Sequence, residues 1–136
     1  MVRRPVVTSP QVALVSSNID RALPFETPSQ GFIQLTKTHI SLLRTAASVA
    51  RALVSDHLSD ENFQRLVKFA HDLKIVSAEK LGEIGRVDRT TASRWVNGHS
   101  APSPLSQEAI LHKIAEEAKI QATRLNAQLP RAERES

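Results

Sequence analysis

The sequence contains no cysteine and no tyrosine, and aromatic residues make up 4% of its 136 positions. Without thiols, disulfides and thiolate–metal sites are excluded, and a reducing compartment, the cytoplasm, is the natural setting. The shortage of aromatics argues against a β-sandwich, which draws on aromatic and β-branched strands. No apolar run approaches the roughly 18 residues needed to span a bilayer, so no membrane association is expected. The opening MVRRPVVTSPQVALVSS starts basic, but Pro5, Pro10 and Gln11 break up any apolar core, and it is not read as a signal peptide.

What the chain does contain is Leu, Ile, Val and Ala, which favour small packed helices. Its net charge of +4 and pI near 10 give a mild bias towards anionic partners. The histidines, His39, His57, His71, His99 and His112, show no metal-ligand spacing. Gly82 and Gly85 lack the setting of a phosphate loop. No nucleophile elbow or carboxylate pair stands out. Catalysis, a metal and a cofactor are therefore not expected.

Residues 1–33 hold Pro5, Pro10, Pro24 and Pro28, few charges and no helical period. They read as a flexible arm in which Val12 to Val15 could form a strand on a partner. From Thr36 the texture changes. Ile40, Leu43, Ala47, Ala50 and Val54 recur at helical spacing, with Thr36 or Thr38 as N-cap and an end near His57. A second helix follows Ser59 or Asp60 and carries a stripe of Phe63, Leu66, Val67, Ala70 and Leu73, with Lys74 closing its last turn. Ser77 caps a short helix with Leu81 and Ile84 inward and Gly85 at its end. Asp88 caps the next, which ends at Asn97-Gly98. Ser103 and Pro104 open a last helix carrying Leu105, Leu111, Ile114, Ala118 and Leu125, which frays into the charged tail RAERES. No internal repeat of solenoid length is present.

The segment Gly85–Gly98, GRVDRTTASRWVNG, concentrates Arg86, Arg89, Arg94 and the only tryptophan. Two short helices joined by a turn of about three residues, the second with a polar leading face, describe a helix-turn-helix. Such a second helix lies in the major groove with its first residues at the base edges. Arg89, Thr90 and Thr91 suit those positions. Ala92, Trp95 and Val96 suit burial, with Val87 filling the turn. Arg94, five positions after Arg89 and read as sharing its exposed quadrant, can reach a base or a phosphate.

EKLGEIGRVDRTTASRWVNG followed by HSAPSP resembles the lambda repressor/Cro-like superfamily over about residues 59–122. The resemblance implies an all-α, five-helix domain, usually acting as a dimer on paired half-sites of double-stranded DNA. Carried over by position, it implies base contacts from Arg89, Thr90 and Arg94. It implies backbone contacts from Thr91, the helix end at Asn97, and His99 and Ser100 in the following loop. Two departures stand out. Arg86 occupies the place where the family prefers glycine, so either the turn is one residue longer or Arg86 takes an unusual backbone angle. Ala92 is smaller than the expected aliphatic residue.

The organisation expected is a flexible N-terminal arm (1–33), a helical DNA-binding domain (34–127, helix-turn-helix about 77–98) and a charged tail (128–136). The function expected is that of a sequence-specific transcriptional regulator of bacterial or phage type, a repressor or an activator, acting as a homodimer. The dimer forms through either the Thr36–His57 helix or the last helix, whose Leu111, Ile114, Ala118 and Leu125 are three, four and seven apart. The rival is a protein-interaction module on the same scaffold. It would bind a polymerase subunit, a toxin or another regulator, with the N-terminal arm folding on that partner.

Overall fold

The computed structural model describes residues 29–135. The arm read over residues 1–33 lies outside the described residues up to position 28. The described residues are all-helical, without a strand. Five helices follow in order: α1 (Gln30–Ala52), α2 (Asp60–Asp72), α3 (Ala78–Gly85), α4 (Arg89–Val96) and α5 (Pro104–Gln128). α1 runs on through a wide π turn over Leu53–His57, and a 3₁₀ turn at Arg131–Glu133 follows α5. No helix among the described residues is long and apolar enough to cross a membrane.

Local chemistry sets most helix starts. The hydroxyls of Ser59, Ser77 and Ser103 accept from the N–H groups of Asn62, Lys80 and Ser106, and Pro104 follows as first helical residue. α1 begins six residues before Thr36. Its cap is Ser29, whose Oγ accepts from the Phe32 N–H at 3.1 Å. Starting there brings Ile33 into the buried face, which is why neither Thr36 nor Thr38 caps the helix.

Three helices end in one way. Ile75 N–H bonds to Ala70 O and Lys74 N–H to His71 O, at 2.8 and 3.0 Å. Val87 pairs likewise with Gly82, and Arg86 with Glu83, at 2.9 and 3.4 Å. His99 pairs with Arg94, and Gly98 with Trp95, at 2.9 and 3.2 Å. Each is a Schellman pair around a left-handed residue: Lys74 (φ 62°), Arg86 (φ 60°) and Gly98 (φ 78°). Lys74 therefore lies beyond α2 instead of in its last turn.

One core joins the helices. From α1 it takes Ile40, Leu43, Ala47 and Ala50. α2 adds Phe63, Leu66, Val67 and Ala70, and α5 adds Ile110, Leu111, Ile114 and Ala118. The tail expected to fray belongs to the same compact unit as the helices. Leu129 is 3% exposed, Glu133 pairs with Lys37 and Glu135 with Arg44. Arg134 adds two bonds, to the carbonyls of Leu129 and Ala127. The physical reason is burial of Leu129 against the core, with the tail's acids also meeting the cations of α1.

Candidate nucleic-acid interface

α3 and α4 pack on each other across the turn Arg86-Val87-Asp88. The turn is three residues long, so of the two alternatives Arg86 takes the left-handed angle. A non-glycine there costs about 1–2 kcal/mol. Glycine is needed one position earlier for another reason. A Cβ on Gly85 would lie 2.6 Å from Cη2 of Trp95 and 2.9 Å from its Cζ3. Gly82 is similarly constrained, because a Cβ there would come within 2.9 Å of the Val87 carbonyl oxygen. Small residues thus let α3 approach both the turn and the indole. Val87 itself is 36% exposed and does not fill the turn; its contribution is the N–H that closes the Schellman pair.

Asp88 starts α4. Its Oδ1 accepts the Thr91 N–H at 2.8 Å. That backbone bond, and then a bond from the Thr91 hydroxyl, hold the carboxyl below the ordinary aspartate range. Thr91 is half-buried, and its N–H serves the cap.

Ala92, Trp95 and Val96 are buried, as the spacing predicts. Arg89, Thr90, Arg94 and Asn97 are exposed. Five positions turn a helix through about 500°, so Arg89 and Arg94 stand about 140° apart instead of sharing a quadrant. They flank a face whose centre is Thr90 and Asn97, with half-buried Ser93 beside them.

His99 (exposed) and Ser100 (half-buried) follow in the loop, which two glutamines hold. Gln64 of α2 donates to the Ser100 carbonyl at 2.9 Å. Gln107 of α5, 1% exposed, uses both protons of its amide nitrogen: one to Asp60 Oδ1 at 2.7 Å, one to the Pro102 carbonyl at 2.9 Å. This clamp was not foreseen. A polar residue at a core-facing position of α5, one turn after Pro104, is the signal that could have revealed Gln107.

Lys37, Arg44, Arg65, Lys68, Lys80 and Lys113 all pair with carboxylates. None of the ion pairs among the described residues takes up Arg86, Arg89 or Arg94. Other unpaired cations, such as Arg51, Lys119 and Arg124, lie on α1 and α5. No family model, curated protein or solved structure matches the chain.

Proposed function

We propose that the chain is a sequence-specific DNA-binding transcriptional regulator with a lambda repressor/Cro-like helix-turn-helix. α4 enters the major groove, and two copies act together. The observation that carries this reading is the concentration of unpaired guanidinium groups, Arg86, Arg89 and Arg94, on one short capped helix and its turn. A helix about 10–12 Å across matches a major groove about 12 Å wide. In this reading Arg89, exposed beside the Asp88 cap, offers its planar fork to guanine O6 and N7. Thr90 and Asn97 occupy the centre of the face. Arg94 and the loop at His99 and Ser100 reach towards phosphates, and the Gln64 and Gln107 clamps fix that loop before binding.

Selection of duplexes from a random pool, followed by affinity measurement over a range of salt, tests it. Recovery of a shared motif with log K falling steeply against log salt supports the reading, because each neutralised phosphate contributes a slope of about 0.9. Recovery of unrelated sequences at equal affinity contradicts it.

A further inference from the structure

Among the described residues, Lys74, Arg86 and Gly98 hold the left-handed backbone that closes a helix. At Gly98 an added Cβ would meet nothing within 4 Å, so the backbone angle alone accounts for glycine there. Lys74 and Arg86 carry a side chain in the same conformation, and of the two only Arg86 stands beside α4. Nothing in the fold accounts for that side chain. It is exposed and enters none of the ion pairs or side-chain hydrogen bonds among the described residues. The nearest acids in sequence are already engaged, Glu83 with Lys80 at 3.5 Å and Asp88 with the Thr91 N–H at 2.8 Å. A cation there meets the negative end of α3, but that gain is smaller than the left-handed cost. Strained backbone of this kind clusters at binding and switch positions.

We infer that Arg86 grips a phosphate of the DNA backbone beside the groove that α4 enters. The turn sets its position. The N–H groups of Arg86 and Val87 donate at 3.4 and 2.9 Å, and Gly85 closes on Trp95, so the α-carbon of Arg86 is held against both helices. Arg86 precedes the cap Asp88, and so lies outside the helix whose first residues meet base edges. Its guanidinium therefore meets the wall of the groove and not the floor. A phosphate there offers two oxygens to the planar fork. Arg86 and Arg89, three residues apart, thus have different duties: the first holds the duplex and the second reads it. The assignment rests on the proposed DNA binding and not on base reading by α4.

Three variants of the full chain separate charge from backbone. Arg86→Gln removes the charge and keeps the left-handed strain, Arg86→Gly removes both, and Arg86→Lys keeps both. Affinity is measured against salt on a duplex selected from the random pool and on a scrambled duplex of equal length. Loss of one phosphate contact lowers the slope of log K by about 0.9, so Arg86→Gln and Arg86→Gly should bind about eightfold more weakly at about 0.1 M salt, with the deficit closing on extrapolation to about 1 M. The factor should be the same on both duplexes. Arg86→Lys should keep the native slope. Arg86→Gly should melt above the native chain and Arg86→Gln with it, so a matched loss of affinity does not come from stability. A native slope in Arg86→Gln, or a loss confined to the selected duplex, overturns the inference. If the native chain selects a motif while Arg86→Gln keeps its slope, the phosphate contact alone fails. If the native chain binds neither duplex, the proposed function fails with it.

Discussion

The indole of Trp95 lies so close to the α-carbon of Gly85 that one added methyl group would come within 2.6 Å of the ring. This contact fixes α4 to α3 and explains why glycine precedes, instead of occupies, the left-handed position. Gly85→Ala is therefore expected to destabilise by about 1–3 kcal/mol, the range for overpacking. Trp95→Ala is expected to cost about 3–5 kcal/mol. In a Trp95→Leu background the cost of Gly85→Ala should shrink, and urea denaturation of the four variants measures that coupling. Equal costs in both backgrounds would show that the contact is not the constraint.

Arg86 carries the opposite expectation. Glycine at φ 60° removes the left-handed penalty of about 1–2 kcal/mol, less about 0.5–1 kcal/mol of added unfolded-state entropy. Arg86→Gly should raise stability by about 0.5–1 kcal/mol, read as a higher denaturant midpoint at constant slope. A lowered midpoint would contradict the assignment of Arg86 to that conformation.

The Asp88 cap gives a sign in pH. Its folded pKa is depressed by the Thr91 bonds, so its stabilisation is present above the unfolded aspartate range near 4 and is lost as pH falls through the folded value. Carboxyl NMR should show Asp88 titrating below the ordinary range. Asp88→Ala should be less stable than the parent at pH 7, and the gap should narrow on acidification. An Asp88 resonance titrating at the ordinary value would refute the cap's charge role.

The docked tail is expected to hold by burial more than by charge. Leu129→Ala should cost about 2–4 kcal/mol. Glu133→Gln and Glu135→Gln should each cost under about 1 kcal/mol, since their pairs with Lys37 and Arg44 are partly exposed. Thermal melts distinguish these, and a larger loss from either glutamine variant would reverse the ranking.

These elements also show what the sequence could and could not convey. Ser59, Ser77, Asp88, Ser103 and Pro104 were legible because a cap is settled within three residues of itself. The inward set Ala92, Trp95 and Val96 followed from helical spacing. Ser29 was missed because the gain that selects it, burial of Ile33, is tertiary. Lys74 carries no local mark of a left-handed backbone, which the Schellman bonds impose, whereas at Arg86 the sequence left the unusual angle open as one of two alternatives and the three-residue turn decides it. The Gln64 and Gln107 clamps and the tail's ion pairs join residues at least 36 positions apart or on separate elements, where periodicity is silent. On α4 itself the angle between Arg89 and Arg94 was also within reach of the sequence, because five residues at about 100° each set them about 140° apart.

The most direct test of the central claim is the affinity of Arg89→Ala, relative to the native chain, on a selected duplex and on a scrambled one of equal length. If α4 reads bases through Arg89, the variant loses about 1–3 kcal/mol on the selected duplex, relaxes preference at one base pair, and binds the scrambled duplex almost as before. Its melting temperature should match the parent, since the side chain is exposed. Unchanged affinity and selectivity on the selected duplex, in a variant that folds normally, would contradict the account and turn attention to a protein partner for this face.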